Sequence, residues 1–146
     1  MHWMLIVFFV AFLCWISVTD ICRQVIPNKA IATAIIVRIM STLWLEKLEW
    51  QGIVIIFLNG IAIAGPLLLL ICIVEKLKKQ EVMGGGDIKL LFVIGLYIGW
   101  EKSLMACFIA CVLGIIIGLI QRTRENMYFP FGPSIAVGAI VAMLIG

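Results

Sequence analysis

The sequence predicts an all-α polytopic membrane protein with about six transmembrane helices and both termini outside. Three observations point there. Of its 146 residues 64 % are hydrophobic and 13 % charged, against about 45–50 % and about 25 % in an ordinary soluble domain. The apolar residues gather in six runs, and the basic residues between the runs alternate between rich and poor. Mean hydropathy is +1.22. Too few polar residues exist to cover a water-facing surface, so lipid is the expected solvent. The length suits a single integral-membrane domain over 1–146.

The six runs are 3–18, 26–45, 52–74, 88–100, 103–120 and 131–146. A full span takes about 20 residues. The third run is long enough by itself. The fourth reaches full length only if 81–87 continues into it, and the sixth is short, with an expected start near Phe129. No Lys or Arg precedes the first run and no small-x-small cleavage site follows it, so it is expected to be a retained span and not a secretory signal. Pro27 suits the first turn of the second helix. Asn59, Gly60, Gly65 and Pro66 are expected to weaken or kink the third. Phe131, Gly132 and Pro133 read as an irregular start to the sixth.

Charge gives the orientation. The first, third and fifth loops hold Arg23, Lys29, Lys76, Lys78, Lys79, Lys89, Arg122 and Arg124, eight basic residues; the second and fourth hold Lys47 and Lys102. Arg38 lies inside the second run and does not reverse the bias. The odd loops therefore face the cytoplasm, in a multi-pass protein of the cell membrane. Trp3, Trp44, Trp50 and Trp100 fall at the outer interface of this topology and Trp15 at the inner one, where indole rings favour the headgroup level.

Several functions are excluded at this stage. The net charge of +3 comes without a basic stripe interleaved with aromatics, so nucleic acid is not an expected partner. His2 is the sole histidine and no CxxC occurs among Cys14, Cys22, Cys72, Cys107 and Cys111. A zinc site, a structural disulfide and a bound cofactor are not expected. Neither GxGxxG nor GxxxxGK[ST] is present.

Among eight acids, Glu46, Glu49, Glu75, Glu81, Glu101 and Glu125 read as solvated loop charges. Asp20 and Asp87 differ. Asp20 follows the first apolar run by two residues, and Asp87 stands at the mouth of the fourth, directly after Gly84, Gly85 and Gly86. The topology puts both at the cytoplasmic interface. An ionisable group at membrane depth is a functional candidate. Two neighbouring carboxyl groups share a proton, and such a pair can deprotonate a water while protonating a peptide carbonyl, without metal or cofactor. The expected optimum is near neutral to mildly acidic pH. Glycines allow close backbone approach or positive φ, which suits an extended substrate strand beside Asp87. The bland alternative is a flexible turn with Asp87 as a helix N-cap.

Met83-Gly84-Gly85-Gly86-Asp87-Ile88-Lys89, Asp20 ahead of Ile26-Pro27-Asn28, and Pro130-Phe131-Gly132-Pro133 occur in that order. With these three elements the chain resembles the type IV prepilin peptidase family, membrane-embedded aspartic proteases of the GxGD type. The resemblance covers nearly the whole chain. It implies the GxGD aspartyl protease fold and cleavage of the short basic leader of type IV pilin-like precursors at the cytoplasmic face. Asp20 and Asp87 would be the catalytic pair. Gly84, Gly85 and Gly86 would shape the site. Lys89, Pro27, Asn28, Pro130, Gly132 and Pro133 would support it. Many family members add an N-terminal region with paired CxxC motifs and methylate the product. The present sequence resembles the stand-alone peptidase form without that methyltransferase and zinc region.

Two readings from other classes fit less well. A small proton-coupled transporter also uses paired aspartates, but nearer the bilayer midplane. A non-catalytic pilus-assembly factor of the same fold would lack one aspartate. The presenilin group also uses a GxGD aspartate, but pairs it with Tyr-Asp and Pro-Ala-Leu, whereas Thr19 precedes Asp20 here and Pro-Ala-Leu is absent.

Overall fold

The computed structural model describes residues 3–23, 25–44, 50–79, 84–121 and 131–145. Pro130, and the acids Glu46, Glu49, Glu81 and Glu125, lie outside the described residues. The described chain forms six helices, one for each apolar run: α1 (Trp3–Arg23), α2 (Asn28–Trp44), α3 (Trp50–Lys78), α4 (Gly85–Ile98), α5 (Trp100–Gln121) and α6 (Gly132–Ile145). Three helices are long and apolar enough to cross a membrane, Trp3–Arg23, Trp50–Leu77 and Trp100–Ile120. The fourteen residues of α4 and of α6 rise about 21 Å each, short of a hydrocarbon layer of about 30 Å.

The helix ends refine the sequence expectation. Helix α1 continues past its apolar run, so Asp20 and Cys22 lie on helix and not in a loop. Helix α3 runs unbroken with Pro66 inside it; a lipid-facing helix tolerates the missing N–H where neighbouring groups adjust. The α4–α5 junction is a single residue, Gly99, at φ +81°. Its amide donates to the Gly95 carbonyl at 3.1 Å and its carbonyl receives the Ser103 amide and hydroxyl. Glu101 and Lys102, expected in an outer loop, therefore sit in the first turn of α5, where an acid favours the positive end of the helix dipole.

Helix α4 is the centre of the bundle. From Leu90 to Tyr97 every residue except Phe92 is buried, and α2, α3, α5 and α6 all pack against it. A helix apolar on every side has no solvent face and belongs inside. Lipid supplies little hydrophobic drive for helix association, so close packing of small residues has to hold it. The α3–α4 crossing shows this. A side-chain carbon added to Gly95 would lie 2.8 Å from Gly60 Cα and 2.9 Å from the Asn59 carbonyl oxygen.

Polar groups tie the far end of α4 to α2. The last carbonyls of a helix lack intrahelical partners. Arg38 donates through Nε to the Leu96 carbonyl at 3.0 Å, and Tyr97 donates its hydroxyl to the Ala34 carbonyl at 2.9 Å. The Tyr97 ring stacks on Phe9 of α1 with centroids 4.3 Å apart, and the Arg38 guanidinium lies 5.9 Å from the centroid of that same ring. A hydrogen bond from a charged donor contributes about 1.5–3 kcal/mol. Hydropathy marks Arg38 only as a charge within an apolar run; its role as a helix-end partner emerges from the packing.

The α3–α4 crossing yields a stability prediction. Gly95→Ala forces two backbones apart and is expected to destabilise the protein by about 1–3 kcal/mol. Gly118→Ala meets nothing within 4 Å and is expected to hold or slightly raise stability, since Ala favours helix over Gly by about 1 kcal/mol. Thermal unfolding in detergent compares the two.

Candidate active site

Asp20 and Asp87 come from different helices and open into one cleft of about 320 Å³. Asp20 lies one turn before the end of α1 and Asp87 in the first turn of α4. Both carboxylates are buried, at 5 % and 9 % exposure. Val25, Ile26 and Asn28 form the wall between α1 and α2, and Gly84, Gly85, Gly86 and Lys89 line the α4 side.

The glycines work differently from the sequence expectation. Gly84 is the N-cap of α4 at φ −64°, and Gly85 and Gly86 already belong to the helix. Among the described glycines only Gly99 has positive φ, so 84–86 is not a left-handed turn. Asp87 is also not the cap: its amide donates to the Gly84 carbonyl at 3.0 Å, three residues back. What the structure uses is close approach. A side chain at Gly86 would meet Ile26 Cβ at 3.1 Å, whereas one at Gly85 would meet nothing within 4 Å. The bare backbone at 86 lets the α1–α2 connection close over the start of α4.

The remaining site residues named from the sequence fall into three groups. Lys89 Nζ donates to Asn28 Oδ1 at 2.8 Å, joining α4 to α2 at the rim of the cleft. Pro27 lies just ahead of α2 and not within its first turn; its carbonyl accepts the Ala30 amide at 3.0 Å and starts that helix. Pro133 occupies the second position of α6, where a missing N–H leaves no intrahelical bond unmade. Neither proline lines the cleft. Gly132 does not line it either, yet it touches the site: its amide donates to Asp20 Oδ2 at 2.9 Å. A side chain there would lie 2.6 Å from that oxygen. A backbone amide on a carboxylate is a charge-assisted bond that pins the acceptor's orientation.

Sequence reasoning missed Val25 and Ile26 as lining residues, although both adjoin Pro27-Asn28. It also gave the irregular start of the sixth run no contact with Asp20, because the two lie 112 residues apart. All five cysteines are free thiols.

These features define a membrane-helix bundle with a paired-aspartate cleft at one end. The chain belongs to the type IV leader peptidase family, whose family model matches residues 7–119. A prepilin leader peptidase/N-methyltransferase of Bacillus subtilis is 30 % identical over 144 residues, 96 % of this chain and 55 % of that protein. One from Burkholderia pseudomallei is 37 % identical over 91 residues, 58 % of this chain and 29 % of its own length. A third, from Aeromonas salmonicida, is 31 % identical over 114 residues, covering 68 % and 39 %. The chain thus spans about half or less of the curated relatives it matches. No solved structure matches it.

The cleft makes a prediction about water access. In a cysteine-free background, Val25→Cys is expected to react with a charged maleimide in detergent micelles. Ile63→Cys, buried in α3 at 3 % exposure, is expected to stay unlabelled. Mass spectrometry reads the difference.

Proposed function

We propose that this chain is an aspartic endopeptidase of the cell membrane that removes the short basic leader of type IV pilin-like precursors. The observation that carries the reading is the meeting of Asp20 and Asp87 in one cleft, within a chain of the leader peptidase family. The proposal extends to topology. All six helices lie in the bilayer, both termini are outside, and the cleft faces the cytoplasm, as the excess of basic residues at the odd connections and the helix ends beside them argues. The short helices α4 and α6 then leave the cleft at the depth where a cytoplasmic leader meets its apolar stem.

The chemistry follows from a carboxyl pair that shares one proton. The ionised partner takes a proton from a bound water as its oxygen attacks the scissile carbonyl carbon. The protonated partner gives its proton to the carbonyl oxygen, and a neutral tetrahedral intermediate forms. On collapse a hydroxyl proton of the intermediate passes to the now ionised partner as the carbonyl re-forms, the C–N bond breaks, and the amine nitrogen receives the proton that the base had taken, which returns the pair to its starting state. The Gly132 amide holds Asp20 by one oxygen. The Lys89–Asn28 bond keeps the rim of α2 against α4.

Leader cleavage, followed by gel shift on a precursor with a basic leader and an apolar stem, is expected to fall at least about 100-fold in Asp20→Asn and in Asp87→Asn. Glu101→Gln, at the other end of the bundle, is expected to cut like wild type. Wild-type rates in either Asp variant would overturn the assignment. The pH–rate profile is expected to be bell-shaped, since activity needs one proton on the pair, neither two nor none. A charged maleimide is expected to label Val25→Cys in inside-out vesicles and not in right-side-out ones.

A further inference from the structure

Helix α6 is keyed to α5 at two points, and the keying ends on Asp20. Phe131 starts α6, its carbonyl accepting the Ile135 amide at 3.1 Å. Its ring lies across Gly114 of α5, where an added side-chain carbon would sit 2.6 Å from Phe131 Cε2 and 3.2 Å from Cδ2. Carbon atoms in favourable contact lie about 3.5–4.0 Å apart, so the ring occupies the space a side chain at 114 would need. Seven residues further along α6, Gly138 crosses the Ala106 carbonyl with no room for a side chain. The spacings agree for antiparallel helices: 106 to 114 is about 12 Å along α5, and 131 to 138 about 10.5 Å along α6.

The next residue after Phe131 is Gly132, whose amide holds Asp20 Oδ2 at 2.9 Å. Helix α6 packs against both α5 and α1, so the height of α6 on α5 sets where that amide meets the carboxylate. Gly114 and Phe131 do not line the cleft.

We infer that Gly114 and Phe131 are positioning residues for leader cleavage: the Phe131 ring, seated in the notch at Gly114, places the Gly132 amide that orients Asp20. The inference rests on the reading of Asp20 as a catalytic residue. Orientation matters steeply in such a site, where a misplacement of about 1 Å can cost about 100-fold in rate. The substitution that tests the notch is also mild for α5, because Ala is a better helix former than Gly.

The test measures kcat and KM separately on the purified full chain in liposomes. The substrate is a precursor with a basic leader ahead of an apolar stem. Gly114→Ala is expected to lower kcat by about 10- to 100-fold while KM stays within about threefold. Adding Phe131→Leu, which removes ring atoms from the notch, is expected to recover about tenfold of that loss. Wild-type kcat in Gly114→Ala, or losses that multiply in the double variant, would overturn the inference. Should Gly114→Ala fail to insert, Phe131→Ala decides: a lowered kcat at unchanged KM supports the inference, and an unchanged kcat overturns it. Asp20→Asn runs alongside. If it cuts normally, the catalytic reading of Asp20 fails and the positioning with it. If it is dead while Gly114→Ala cuts normally, the positioning alone fails.

Discussion

Everything in this bundle depends on enclosing α4. That helix carries Asp87, is apolar on nearly every side, and rises only about 21 Å. Apolar surface gives little drive for association where lipid tails are the competing solvent, so enclosure depends on close contact and satisfied polar groups. Gly95 against Gly60 brings the α3 and α4 backbones together at their crossing. Arg38 and Tyr97 then close the far end, where the Leu96 carbonyl has no partner within its own helix. The Lys89–Asn28 bond holds the near end. Helices α2 and α4 are therefore fastened above and below, and Asp87 enters the cleft from a fixed support.

Asp20 is held by a different route. It lies near the end of α1, but its visible anchor is a main-chain amide at the first residue of α6. Glycine suits that position for a steric reason, since a side chain would push the Asp20 carboxylate out of its place. The same device recurs at Gly114 and Gly138, where another element comes too close for a side chain, and in a milder form at Gly86, where the contact would be tight. None of these uses the left-handed backbone that glycine permits; among the described glycines that freedom is used only at Gly99, where two helices meet across one residue.

The two aspartates thus sit on supports of unlike kind. Asp87 rides a central helix packed by four others, while Asp20 takes a backbone amide from the start of a second short helix, α6. In a pair held in this way one member is placed by the helix that carries it and the other by an amide from a different helix.

The sequence by itself determined the apolar helical class and the helices, and it singled out the two aspartates as candidates. Hydropathy and run length do not depend on tertiary contacts, so six runs became six helices, with ends displaced by a few residues where Gly85–Asp87 and Thr19–Arg23 continued a helix. Asp20 and Asp87 stood out because a charge beside an apolar run is costly in any fold. The tertiary structure alone decided how each glycine is used, which backbone amide meets Asp20, and that Arg38 closes the end of α4. Those contacts join residues 112 and 58 positions apart in the chain. Local pattern carries no record of which helices touch, and in lipid that choice rests on where small residues let backbones meet.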